Sequence, residues 1–190
     1  MGFFKLILAF SPWILFKIIS GPSMFRLEIG IIVALVISVI LALKGIHKGF
    51  ILLGSLLFFS YTLVAVVIMK NAWAIRHIGV LAVGTLAGIS WLSILIRHPF
   101  TLTYSRSLID KEQWNSPQLI RRGYLTTGVW AFVFSVNALI NVFRLNHGDI
   151  SRWIYEAVEY GFFLIAILFT IYYPKWSSAR DGKTESPRSS

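Results

Sequence analysis

Cysteine is absent from this sequence of 190 residues, which excludes disulfide frameworks, thiolate metal sites and cysteine nucleophiles. Charge is scarce too. Asp, Glu, Lys and Arg together make up 14% of the chain, where a soluble domain carries about a quarter. No HExxH, GxSxG, P-loop or GxGxxG pattern occurs, and no Ser/His catalytic pair can be nominated. The four histidines (His47, His77, His98 and His147) lie in different connections, none of them three or four residues from another. A zinc site needs convergent ligands, usually with carboxylates behind them, so neither a metal nor another cofactor is expected. The chain reads as a protein without enzymatic chemistry.

What the sequence has instead is apolar surface. Hydrophobic residues account for 56% of the chain and the mean hydropathy is +0.72. Such an excess is stable when much of the chain is dissolved in lipid, whose core of about 30 Å takes about 20 residues of apolar helix. Five runs fit this length: Leu27–Ile46, Phe50–Met69, Ile75–Ile96, Tyr124–Phe143 and Trp153–Tyr173. A sixth, Phe3–Ile19, is interrupted by Lys5, Pro12 and Lys17. It has some marks of a signal peptide, a basic start and a short apolar core. No small-x-small cleavage site follows, and aromatics crowd Phe10–Phe16, which favours a first spanning helix kinked at Pro12 with Lys17 reaching the interface. The expected fold is therefore all-α, a single membrane domain over residues 1–174 with about six spans. Within the fourth span, Gly84 and Gly88 form a small-xxx-small pair suited to close helix packing. After Pro174, residues 175–190 are polar and expected to be a disordered tail.

An even span count puts the N-terminus, the turn at Lys44–Lys48, the connection 97–123 and the tail on one side. That side holds Lys5, Lys44, Lys48, Arg97, Arg106, Lys111, Arg121, Arg122, Lys175, Arg180, Lys183 and Arg188, 12 of the 18 Lys and Arg residues. Lys17, Arg26, Lys70, Arg76, Arg144 and Arg152, the other 6, lie opposite. The positive-inside rule then places both termini and the loop 97–123 in the cytoplasm. Because the cations sit between apolar runs and not along one face, the net charge of +10 implies anionic lipid headgroups as partners and not nucleic acid. Trp73, Trp91, Trp114, Trp153, Tyr172, Tyr173 and Trp176 mark span ends, as interfacial belts do.

Two groups of polar residues are candidates for function. Asn137, Asn141 and Arg144 share one face of the fifth span, and Glu156 and Glu159 one face of the sixth. Asn137 and Glu159 each lie roughly 9 Å inside the same end, so Glu159 is expected to accept a hydrogen bond from Asn137, with Asn141 and Glu156 as a second layer. A carboxylate at that depth is costly unless paired or wetted. The simpler reading has Glu156 pairing with Arg152 and Glu159 snorkelling to the surface. The second group, Arg97, His98, Arg106, Arg121 and Arg122, has the planar donors to cradle a phosphate headgroup or phosphorylated ligand, or else serves topology alone.

The stretch Phe10-Ser11-Pro12-Trp13-Ile14-Leu15-Phe16-Lys17 resembles the opening of the intracellular septation protein A family, where a Pro precedes an apolar, Phe-rich run and a Lys. Trp114, Pro117 and Trp130-Ala131-Phe132-Val133-Phe134, with Asn137 or Asn141, look like that family's passage from its last loop into its penultimate helix. Arg97-His98-Pro99-Phe100-Thr101-Leu102-Thr103-Tyr104-Ser105-Arg106 is similar to the "PFTLQYAR" signature of a group of small bacterial membrane proteins. The likeness covers the first helix and the last third, and the middle by hydropathy only. Arg121-Arg122-Gly123-Tyr124 stands where that family usually has Asn. The resemblance implies a multi-pass bacterial inner-membrane protein serving envelope maintenance or septation through protein or lipid contacts, with possible partners among other envelope or division proteins. Two rivals are a small transporter or lipid-handling protein with a polar path at Asn137 and Glu159, and a membrane enzyme working on headgroups at the basic loop.

The charge distribution makes a direct prediction. Reporter fusions after Arg106 and after Lys183 should both show cytoplasmic activity; periplasmic activity at either position overturns the orientation.

Overall fold

Arg97 and the residues around it determine how the chain gets from one half of the molecule to the other. Ser93 bonds back to Ser90 O through its hydroxyl at 2.7 Å, and its own carbonyl accepts from His98 N at 2.8 Å while Ile94 O accepts from Arg97 N at 3.0 Å. That pair of bonds requires a left-handed residue, and Arg97 adopts φ 60° to supply it, in a place where glycine is usual. Phe100 N then donates to Ser93 Oγ at 3.3 Å. The reversal is tight enough to send Pro99 and Phe100 straight back into the core, where both are buried.

The molecule is a computed structural model describing residues 2–45, 49–106, 111–146 and 151–184, and it contains no strand among them. Its helices are α1 (Gly2–Ile19), α2 (Met24–Leu43), α3 (Phe50–Thr62), α4 (Ala72–Leu95), the short α5 (Phe100–Arg106), α6 (Pro117–Asn146) and α7 (Arg152–Thr184). A π-helical turn, Leu63–Ile68, prolongs α3, and Lys111–Gln113 forms a 3-10 turn. Five of these segments are long and apolar enough to cross a membrane. The described apolar part of α1, Leu6–Ile19, is shorter, but it packs among the others as a sixth member of the bundle. The chain is an all-α polytopic membrane protein. The long helices alternate in direction, so the starts of α1 and α4's partner α6 share one end, and the end of α1 meets the start of α7 at the other.

Helix boundaries follow from local chemistry. Ser23 caps α2 by accepting from Arg26 N at 3.3 Å, so the helix starts three residues before the apolar run at Leu27. Asn71 caps α4 through Ala74 N at 3.0 Å. Ser116 and Pro117 open α6, the serine accepting from Leu119 N at 3.4 Å and the proline sitting where no N–H is needed. α1 runs unbroken through Pro12. Proline leaves the carbonyl of Leu8 without its helical donor, and Ser11 Oγ fills that place at 2.8 Å.

α1 is the hub. Phe10, Trp13 and Phe16 lie on one face and are all buried. Phe10 stacks on Trp130 of α6 at 5.5 Å and meets Phe100 of α5 and Phe134 of α6, each at 6.1 Å. Trp13 packs on Phe58 and Phe59 of α3, both at 5.0 Å, and donates to Ser55 Oγ at 2.7 Å. On the far side of α6, Trp130 Nε1 reaches Thr170 of α7 at 3.0 Å.

Three sequence expectations change. The connection 97–123 is not a free loop, because α5 is packed between α1 and α6: Thr101 Oγ1 bonds Gly123 O at 2.9 Å and Thr127 Oγ1 at 2.7 Å, and Leu102 presses on Gly123. Gly84 and Gly88 are not a packing face within the chain, since a Cβ on either would meet nothing within 4 Å. The close glycine contacts are instead at Gly30, Gly54 and Gly79. The polar segment after Pro174 is helical as far as Thr184, because a helix already formed extends at one bond per residue; 185–190 lie outside the described residues.

A Cβ built on Gly54 falls 1.8 Å from Ile89 Cδ1 on α4. Gly54→Ala should therefore destabilise the fold by about 1–3 kcal/mol through overpacking. Adding Ile89→Val, which deletes the clashing methyl, should recover most of that loss, although Ile89→Val alone costs about 0.5–1.5 kcal/mol. Unfolding of the four variants in detergent tests this; strict additivity of the two substitutions would mean the helices do not meet here.

Candidate functional site

One carboxylate is drawn into the bundle. Glu159, two turns into α7, is buried, with its side chain 5% exposed. Its Oε2 accepts from Lys17 Nζ at 3.2 Å and its Oε1 from Asn141 Nδ2 at 2.7 Å. The second hydrogen of that amide goes to Asn137 O at 2.9 Å, so both donors of Asn141 are used. Asn141 Oδ1 faces Gly79 of α4, where a Cβ would stand 2.6 Å away. Four helices thus meet at this point: α1 supplies the cation, α7 the acid, α6 the amide and α4 the gap that admits it.

The lysine reaches the acid because of where α1 ends. Lys17 lies two residues before the last helical residue, Ile19, and its ammonium passes over the Tyr160 ring at 5.8 Å to reach Glu159. Its side chain is 51% exposed, so it bridges the bundle surface and the buried acid. A second ion pair, between Lys70 after the π turn and Glu28 of α2, ties the same end of the bundle together.

The expected bond between Asn137 and Glu159 is replaced by one from Asn141. On α6 it is Asn141, one turn nearer the helix end, that lies level with the acid, while Asn137 sits below it. Asn137 is fully buried, and neither its Nδ2 nor its Oδ1 finds a hydrogen-bond partner among the described residues. Glu156 is half-buried near the start of α7; the side chain of Arg152, its expected partner, lies outside the described residues. Sequence reasoning missed Lys17 as the partner of Glu159. The depth of Lys17 relative to the end of α1 matches that of a group just inside the bundle, a signal available once both helix ends are known to coincide.

The basic group is less concentrated than its composition implied. Arg97, His98 and Arg121 are exposed, and the His98 ring is engaged with the carbonyl of Ile96 at 2.8 Å. Arg106 turns toward the 3-10 turn, donating to Trp114 O at 3.4 Å with its guanidinium 6.0 Å from the indole. Arg122 is half-buried on α6. All five belong to the end of the bundle opposite Glu159, distributed over the turn between α4 and α5, α5 itself and α6. Beside them, burial pushes the pKa of the Tyr104 hydroxyl on α5 above the ordinary tyrosine range. His77 stacks on Trp73 at 4.6 Å, while His47 and His147 lie outside the described residues. Among the described residues no three His, Asp or Glu side chains come together.

Comparison with protein-family models, curated proteins and solved structures gives no match. The likeness to the septation protein A family rests on the motif residues alone.

The ion pair makes an asymmetric prediction. Lys17→Met leaves a buried carboxylate with a single hydrogen bond and should destabilise the fold by on the order of 2 kcal/mol, whereas Glu159→Gln keeps the bond from Asn141 and frees an ammonium that water can reach, at less than about 1 kcal/mol. The double variant should recover most of the Lys17→Met loss. Equal costs for the two single changes, measured by unfolding in detergent, would show that charge burial does not decide the stability here.

Proposed function

We propose that this chain is a non-enzymatic component of the bacterial inner membrane, serving envelope maintenance or septation through contacts with other envelope proteins and with anionic lipid. The observation that carries this reading is the convergence of the three stretches behind the family resemblance. Phe10 from the first stretch touches Phe100 from the second and both Trp130 and Phe134 from the third. Residues about 90 and 120 positions apart in sequence thus build one core, which is what a likeness of fold, and not of scattered words, requires. Buried polar groups support a scaffold role as well: Trp13–Ser55, Thr101–Thr127, Trp130–Thr170 and Glu159 with its two partners each join one helix to another. In lipid such bonds are among the forces that hold helices in register.

Asn137 favours a second reading, a small transporter with a polar path past Glu159, because its carboxamide is buried beneath the ion pair with no partner among the described residues. The two readings differ over titration. A scaffold needs the hydrogen bond that Asn141 donates, which glutamine also accepts; a proton-coupled conduit needs the acid itself. In cells lacking this chain, Glu159→Gln should restore the wild-type envelope or division phenotype as fully as the native chain does. A well-folded Glu159→Gln protein that fails to complement, with Glu159→Asp partly active, would replace the scaffold with the conduit.

A further inference from the structure

We propose that the Asn137 carboxamide holds a water molecule, and that this water continues the Lys17–Glu159–Asn141 chain into the bundle as a hydration site open only at the end where α1 stops. Asn137 has no exposed surface, and both of its amide atoms are without partners among the described residues. Buried polar groups in folded proteins are almost always bonded to protein or to ordered water. Water suits a carboxamide because it offers the donor that Oδ1 lacks and the acceptor that Nδ2 lacks.

The neighbouring groups select the ligand. Asn137 and Asn141 stand one helical turn apart on α6, which makes their side chains neighbours on one face of the helix. Lys17 already neutralises Glu159, so the site lacks the unbalanced negative charge that would hold a cation. An anion would face the Glu159 carboxylate. A small neutral hydrogen-bonding molecule remains, and water is the one supplied at the bundle surface.

Access is one-sided. From the half-exposed ammonium of Lys17 the polar atoms run through Glu159 Oε2 and Oε1 to Asn141 Nδ2 and Asn137 O. One turn further along α6, toward its start, stand Phe134 and Val133, and two turns further Trp130, all buried in the apolar core around Phe10. Water therefore enters past Lys17 and stops at Asn137. This hydration site is independent of the proposed envelope role, and so are its tests.

The test uses the full chain in lipid nanodiscs. Magnetisation transferred from water should build up on the Asn137 side-chain amide about as fast as on the exposed Asn146 amide, and several-fold faster than on the Trp13 indole N–H, which is buried against Ser55. Build-up at Asn137 as slow as at Trp13 overturns the proposal. Asn137→Leu replaces the amide with an apolar side chain of similar shape. Its unfolding midpoint should fall, because the bonds to water are lost; an unchanged or raised midpoint means that the native amide is bare, and also overturns it. Should Asn137→Leu not fold, the magnetisation measurement on the native chain decides alone.

Discussion

Phe10, Trp13 and Phe16 project from one face of α1 into the space between α3, α5 and α6, and the arrangement of those helices depends on them. Lipid tails are as apolar as leucine, so helices in a bilayer gain little by hiding apolar surface from one another. Close packing and a few hydrogen bonds must do the work. Broad, rigid rings give many dispersion contacts for little loss of rotamer freedom. Through these three rings α1 touches three other helices, and the bond from Trp13 to Ser55 fixes its height against α3.

Much of this architecture was legible in the amino-acid order. The apolar runs locate five long helices, three of them to within three residues at either end, since the bilayer imposes a length that composition reveals; α6 begins seven residues before its run and α7 continues eleven beyond. Glu159 stands out for the same reason: a carboxylate inside an apolar run has few ways to be tolerated. Its partners were harder to read. Asn141 and not Asn137 bonds it, because the two helices are offset by about one turn from the expected register, and the order of residues in the connection 147–151 does not determine that offset. Lys17 belongs to a helix 142 positions away, and no local pattern pairs residues across that distance.

The segment 97–106 was misread in an instructive way. Its basic ends and its proline mark it as a loop, yet Phe100, Thr101, Leu102 and Tyr104 are buried, with Thr103 exposed and Ser105 and Arg106 half-buried, as one side of a short helix. What seats that helix is a glycine on another element: Leu102 lies 3.1 Å from where a Cβ on Gly123 would be. The same economy of space recurs at Gly79, which lets Asn141 approach α4. Glycine matters at both positions for the atoms it lacks, and a lone sequence does not distinguish such a gap from a flexible turn.

The alternation of the helices also sorts acid from base. Among the described residues, the end of the bundle where α1 begins and α7 finishes carries ten Lys and Arg residues against two acids, Glu112 and Asp181; the other carries six against Glu28, Glu156 and Glu159. Their formal charges are +8 at the first end and +3 at the second, where Lys17 and Lys70 are already held by acids. The folded protein is an electric dipole lying along the membrane normal. Anionic lipid would gather around one of its ends and be nearly indifferent to the other, so the protein would carry a ring of such lipid in a single leaflet and, wherever many copies assemble, make the two leaflets differ in composition.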